Sequence, residues 1–224
     1  MTAIVQSVSL PGLLATTIAK KVVMALTGII LTGFVLVHMT GNLLLYLGPE
    51  ALNAYAEMLQ SKAAVVWAAR AVLLGSVGLH IWAATSLTLT NLAARPVGYR
   101  AHAYEASTYA SRTMRWGGPL LLLFIVYHLL HFTVGSVHSN FIRGNVYHNV
   151  VVGFQNPLVA FVYVLSMVAL SLHLFHGVNS MLQTLGLSHP RYNGLRSMAS
   201  AGYAALITVG NLSFPLSVYF GLVR

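Results

Sequence analysis

The chain of 224 residues contains no cysteine. This absence excludes disulfides, covalently attached c-type haem, and iron–sulfur or zinc centres that are held by cysteine. Charged side chains are also scarce: they make up 7% of the chain, whereas a soluble domain carries about a quarter. Water is therefore not the main solvent of this chain, and any iron–sulfur or flavin chemistry linked to it must belong to a partner.

Acidic residues are the rarest charged type. The chain has no Asp and only three Glu, at Glu50, Glu57 and Glu105, so the net charge is +9. In a soluble protein this excess would indicate nucleic acid as a partner. In a chain that is 57% hydrophobic, with a mean hydropathy of +0.76, it is typical of positive connections on the cytoplasmic side of a membrane. We therefore expect membrane lipid around the chain and no bound nucleic acid.

Five apolar stretches reach the length of about 20 residues that a bilayer-spanning helix needs. The sequence predicts an all-α integral membrane protein with five transmembrane helices, in a single membrane domain over residues 1–224. A short N-terminal cytoplasmic segment, 1–19, precedes the first span. The predicted spans are 22–47, 65–92, 116–137, 157–185 and 202–223.

The basic residues predict the orientation of these spans. Eight of them fall on one side of an alternating topology, and four on the other. The positive-inside rule then places the N-terminus in the cytoplasm and the C-terminus outside. The eight are Lys20, Lys21, Arg95, Arg100, Arg112, Arg115, Arg191 and Arg196; the four are Lys62, Arg70, Arg143 and Arg224.

Histidine is unusually frequent for so apolar a chain. Six of its ten histidines lie within predicted spans, and each of the first four spans carries at least one. Ionisable residues inside a membrane are costly and mark functional sites by default, although a lone one can simply bond to a neighbouring helix. The recurrence on four consecutive helices favours a cofactor. The six are His38, His80, His128, His131, His173 and His176.

Depth sorts four of these histidines into two levels. At about 1.5 Å per residue, His38 and His128 lie in the outer half of their spans, whereas His80 and His176 lean toward the inner half. Two levels with two imidazoles each suit two b-type haems, because neutral imidazole is a good ligand of haem iron.

The third and fourth predicted spans each carry a second histidine three residues from the first. His131 shares a helix face with His128, and His173 shares one with His176, so spacing alone leaves both choices open. A spare histidine would bond a haem propionate, another helix or the backbone. Glycines near the histidines would either admit a flat macrocycle or permit close helix packing; they are Gly28, Gly33, Gly41, Gly75 and Gly78.

Several stretches resemble the cytochrome b subunit of succinate dehydrogenases and fumarate reductases, in the class with a single five-helix anchor and two haems. The resemblance extends over almost the whole chain. The stretches are GFVLVHMTGN at 33–42, GPEALNAYAE at 48–57, SRTMRW at 111–116, YHLLHF at 127–132, YHNV at 147–150, HLFHG at 173–177 and QTLG at 183–186.

The resemblance implies specific ligands. It favours His128 as the first of its pair and His176 as the histidine directly before a glycine. The outer haem b would then lie between His38 and His128, and the inner one between His80 and His176. Some relatives carry a glutamate two residues before the fourth-helix ligand, where this chain has Leu174, so no proton route is expected there.

The resemblance also implies partners: a flavoprotein subunit and an iron–sulfur subunit on the cytoplasmic side of a bacterial cytoplasmic membrane. Electrons would pass from the inner to the outer haem and then to a quinone, expected to be menaquinone. Arg112 and Arg115 would meet the iron–sulfur subunit or neutralise propionates of the inner haem. His131 and His173 are further propionate contacts to expect.

The expected quinone site lies at the outer end, between the loops 48–64 and 137–156. A quinol needs a base to take its proton, and Glu57 is the first choice, with Glu50 next. The alternative is that this carboxylate has no role with the quinone and is either solvated or paired with Lys62.

Two other protein classes compete with this interpretation. The dihaem subunit of respiratory nitrate reductases resembles it, but its ligands include histidines on the last helix, where this chain has none. A haem-free anchor or a transporter would use the histidines for packing or proton relay. Transporters often show internal repeats and broken helices. This sequence shows neither, apart from Pro215 in the fifth predicted span.

Overall fold

The computed structural model describes residues 16–94 and 108–224. Within these ranges the chain forms seven α-helices and no β-strand, which confirms the predicted all-α fold. The helices are α1 Thr17–Asn42, α2 Pro49–Ser61, α3 Ala63–Ala93, α4 Tyr109–His128, α5 Val146–Gln155, α6 Pro157–Thr184 and α7 Asn193–Tyr219. A 3₁₀ turn, Leu43–Leu47, extends α1, and a π-helical turn, Leu129–Val134, extends α4.

Five helices are long and apolar enough to cross a membrane: α1 and α4 with their extensions, and α3, α6 and α7. Four of them begin earlier than the apolar stretches indicated, α3 by two residues and α1, α4 and α7 by five or more. Thr16 caps α1 by accepting a hydrogen bond from the Ala19 N–H at 3.1 Å, and Thr108 caps α4 in the same way with Ser111 at 3.2 Å. These polar first turns belong to the helices because the cap satisfies their free N–H groups.

The helices pack as an open four-helix bundle with a fifth helix on one side. α1 packs against α3 and α6, and α6 packs against α4 and α7. α7 is fixed to α1 by the Tyr203 hydroxyl, which donates to the Thr32 carbonyl at 2.7 Å, and by Tyr46 and Ser213, whose hydroxyls lie 2.7 Å apart. The bundle therefore consists of α1, α3, α4 and α6, the four helices that carry the intramembrane histidines.

Two short helices cover one end of the bundle. We name this the outer end, after the predicted orientation; α1 and α4 finish there and α3 and α6 begin there. The two connections expected to be loops, 48–64 and 137–156, contain the helices α2 and α5. Gly48 turns the chain with a positive φ of 96°, and Pro49 then begins α2.

Close contacts hold both short helices in place. A Cβ on Gly41 would lie 2.8 Å from the Tyr55 ring, so a larger residue at the end of α1 would displace this ring of α2. The Asn53 amide joins α2 to α5: it donates to the Asn145 side chain and accepts from the Tyr147 N–H, both at 3.0 Å. The outer end is thus a packed cap.

Some predicted features lie outside the described residues. They are residues 1–15 of the predicted N-terminal segment and the connection with Arg95, Arg100 and Glu105.

Candidate functional site

Two imidazoles face each other in the outer half of the bundle. The ring centres of His38 on α1 and His128 on α4 are 5.8 Å apart, with the ring planes perpendicular. His38 also stacks on Phe34, one turn earlier, at 5.4 Å. The structure therefore brings together the two histidines that the depth estimate placed at one level.

A second pair joins α3 to α6. The ring centres of His80 and His173 are 6.2 Å apart, with 54° between the ring planes. His176 lies one turn further along α6, about 4.5 Å away along the axis, and its Nε2 is 3.3 Å from the Ser180 hydroxyl. The imidazole that faces His80 is thus His173, and not the His176 that the resemblance favoured.

Each histidine pair spans a diagonal of the bundle. α1 packs closely on α3 and α6 but not on α4, and α3 does not pack closely on α6. The side chains of His38 and His128, and those of His80 and His173, therefore meet across helices whose backbones are apart. A planar group between the rings of a pair would therefore lie between helices that are not in close contact.

The spacing of both pairs fits haem. Two imidazoles that hold one metal from opposite sides, each at about 2 Å, have ring centres about 6 Å apart. Among the described residues, no group of three or more His, Cys, Asp or Glu side chains could hold a bare metal ion. A porphyrin supplies four nitrogen ligands of its own, so two imidazoles complete its iron. The donor set therefore suits haem better than a bare ion.

The glycines near the histidines separate into two groups. A Cβ added to Gly33, Gly75 or Gly78 would meet no atom within 4 Å, so these glycines are not needed for close helix packing. At Gly28 a Cβ would only touch Met181 and His80, at 3.9 and 4.0 Å. Of the two roles expected for these glycines, close packing fits Gly41, which lies against the Tyr55 ring, and does not fit the other four.

A crevice of about 180 Å³ between α4 and α6 has His173 of the inner pair in its wall. Nδ1 of His173 is buried without a hydrogen-bond partner among the described residues. Buried polar atoms are normally paired, so this imidazole retains capacity for a ligand. The other lining residues are Thr113, Met114, Trp116, Gly117, Leu120, Ala169 and Leu172.

Hydroxyl groups contact one histidine of each pair. Nδ1 of His80 lies 3.1 Å from Oγ1 of Thr27, a residue that is 5% exposed. The Tyr163 hydroxyl lies 3.3 Å from Nδ1 of His128 and 3.1 Å from Nδ1 of His131. Neither Thr27 nor Tyr163 is among the residues expected from the sequence. Hydroxyls within helices usually bond to their own backbone, so the sequence carries no signal for these contacts.

His131 is enclosed by protein. It is 1% exposed, and its ring stacks on Tyr127 at 5.5 Å and on His138 at 4.8 Å. A Cβ on Gly153 of α5 would lie 2.9 Å from the His131 ring. These contacts favour a packing role for His131 over the expected contact with a propionate.

The model of one protein family, described as "Succinate dehydrogenase/Fumarate reductase transmembrane subunit", matches residues 91–212, more than half of the chain. The chain belongs to this family. No curated protein and no solved structure matches the chain. The matched region includes His128 and His173, whereas His38 and His80 precede it. The chain is therefore a membrane-anchor subunit of the succinate dehydrogenase/fumarate reductase type, and its five apolar helices fit a multi-pass membrane protein.

Two arginines of this membrane subunit stand at the inner end of α4. Arg112 and Arg115 are exposed on its first turns, and the Arg112 guanidinium lies 5.8 Å from the centre of the Tyr109 ring. Both side chains therefore lie at the surface of the inner end.

Both glutamates of the outer end line one groove of this subunit. Glu57 and Glu50 are exposed on α2, beside a groove of about 680 Å³. The remaining lining residues are Asn53, Ala54, Gln60, Ser61 and Gly144, so none of the described lining comes from a spanning helix.

Proposed function

We propose that this membrane subunit is a dihaem cytochrome b that passes electrons between an iron–sulfur partner subunit and a membrane quinone. The observation that carries the proposal is the pair of facing imidazoles at each of two levels, with ring centres 5.8 and 6.2 Å apart. His38 and His128 would hold the outer haem b, and His80 and His173 the inner one. Haem iron, when bound, takes up and releases single electrons.

His173 replaces His176 in this proposal because of ring geometry. A ligand of the inner haem must face His80, and His173 does so. Nε2 of His176 lies instead beside Ser180 of its own helix. His176 is left as a residue of the haem surroundings, and the choice is open to a direct test.

The inner end is proposed to face the cytoplasm and the partner subunits. Lys20, Lys21 and Arg196 lie at this end with Arg112 and Arg115, as the positive-inside rule requires of cytoplasmic connections. The chain has no cysteine of its own to hold an iron–sulfur cluster. A flavoprotein and an iron–sulfur subunit would therefore dock here, in a bacterial cytoplasmic membrane, nearest to His80 and His173.

The quinone is proposed to react at the outer end. Glu57 would take the proton of a quinol there, supported by its exposure beside a groove and by the scarcity of other acids. Menaquinone is the expected quinone.

The decisive experiment is an optical spectrum of the complex purified with all its subunits. A reduced-minus-oxidised spectrum and a pyridine haemochrome assay should give two b-type haems per copy of this chain. A complex that assembles with wild-type chain and contains no haem would contradict the proposal and leave a haem-free anchor.

A further inference from the structure

We infer that two side-chain hydroxyls, those of Thr27 and Tyr163, are positioning groups that fix the tautomers of His80 and His128. Each would hold Nδ1–H of its histidine and leave Nε2 free as the metal ligand. The inference rests on the proposed function, because it assigns to each haem a residue that contacts only the ligand.

The direction of the hydrogen bond between Thr27 and His80 follows from the single proton of the Thr27 hydroxyl. Its Oγ1 lies 2.8 Å from the Val23 carbonyl oxygen, and two oxygens at this distance need a proton between them. A hydroxyl has one proton, so Thr27 donates to Val23 and can only accept at its lone pairs. Nδ1 of His80, at 3.1 Å from Oγ1, must then be the donor. A neutral imidazole that is protonated at Nδ1 carries its lone pair on Nε2.

The Tyr163 hydroxyl is shared by two histidines, which limits the possible directions of its hydrogen bonds. Its oxygen lies 3.3 Å from Nδ1 of His128 and 3.1 Å from Nδ1 of His131. One proton cannot serve both contacts, so at least one of the two histidines donates to the Tyr163 oxygen. If His128 binds iron through Nε2, its Nδ1 is protonated and donates, and Tyr163 donates onward to His131. The buried His131 thereby acquires a role as the acceptor that orients the Tyr163 hydroxyl.

These contacts would tune the two haems separately. When a ligating histidine donates its other ring N–H to a neighbouring group, the orientation of the ring is fixed and its basicity as a ligand rises. A more basic ligand stabilises ferric iron over ferrous iron and so lowers the midpoint potential. Thr27 touches only the inner pair and Tyr163 only the outer pair, so each hydroxyl is expected to act on one haem.

The test compares Thr27→Val and Tyr163→Phe in the assembled complex. Both variants should retain two haems by pyridine haemochrome assay. Redox titration followed by optical spectroscopy should show a raised midpoint potential for one haem in Thr27→Val and for the other haem in Tyr163→Phe. The low-spin ferric EPR signal of the affected haem should shift in parallel, because the ligand field changes.

Two further variants serve as controls. Thr27→Ser keeps the hydroxyl and should restore both wild-type potentials. Tyr127→Phe removes a hydroxyl from the ring that stacks on His131, without touching the Tyr163 hydrogen bonds, and should leave both potentials unchanged. If Thr27→Val loses a haem, Thr27→Ser should still retain it, and loss in both would overturn the inference.

The outcomes separate this inference from the proposed function. Two haems with unmoved potentials in Thr27→Val and Tyr163→Phe, or a shift of the same haem in both, would overturn the inference alone. A wild-type complex without haem would overturn the proposed function and this inference with it.

Discussion

His173 faces His80 across the bundle, with 6.2 Å between their ring centres. The two residues lie on helices whose backbones do not pack closely, so their approach depends on the packing of α3 against α1 and of α6 against α1 and α4. His176 has the same residue type and lies on the same face of α6, yet its Nε2 lies 3.3 Å from the Ser180 hydroxyl of its own helix. Ring placement therefore separates two histidines that the sequence could not.

The first prediction concerns this choice. His173→Ala should lower the haem content of the purified complex from two to one, since it removes an iron ligand, as should His38→Ala, His80→Ala and His128→Ala. His176→Ala is the matched control, one turn away on the same helix, and should retain both haems in the pyridine haemochrome assay. The opposite pair of results would restore His176 as the ligand.

The second prediction is the membrane orientation. A reporter fused after Arg224 should be active outside the cytoplasm, and one inserted near Tyr99 should be active inside it, because most basic residues fall on the Tyr99 side. Readings opposite to these at both positions would reverse the orientation and exchange the inner and outer haems.

The third prediction concerns proton transfer from quinol. Glu57→Gln should lower quinone-linked turnover about 100-fold or more, the usual contribution of a positioned base, while succinate oxidation by a soluble dye is unchanged. Glu50→Gln makes the same change of charge in the same groove and should have a smaller effect. Normal quinone-linked turnover in Glu57→Gln, with both haems present, would remove Glu57 from the mechanism.

The fourth prediction tests the outer cap. The buried Asn149 side chain accepts from the Ile142 N–H at 2.8 Å and donates to the Ile142 carbonyl at 2.9 Å. Asn149→Ala leaves the Ile142 N–H unpaired, whereas the Ile142 carbonyl still accepts from the Asn145 N–H at 3.2 Å, so the free energy of unfolding should fall by about 1 kcal/mol. The measurement is a lower Tm in detergent. Asn140→Ala, at an exposed side chain of the same connection, should leave Tm unchanged; an equal loss in both variants would contradict this account.

Much of the fold could be predicted because a bilayer imposes one simple requirement. A spanning helix must be apolar over about 20 residues, so hydropathy reveals the five spans and their order. The short helices α2 and α5 were expected to be loops, since they lie outside the apolar stretches and depend on local contacts such as Gly41 with Tyr55. The apolar stretches also do not include the polar first turns of α4 and α7, because hydropathy cannot detect the part of a helix that extends beyond the membrane.

The sequence by itself determined the class of protein, the set of intramembrane histidines and the absence of cysteine ligands. These are properties of residue type and of position along a helix, and the family match agrees with the class that they indicated. Only the tertiary structure decided which imidazoles face each other, and that Thr27 and Tyr163 touch two of them. Residues three apart share a helix face, so spacing cannot choose between them. The choice is made by the rotation and depth of each helix, which its packing against neighbouring helices sets.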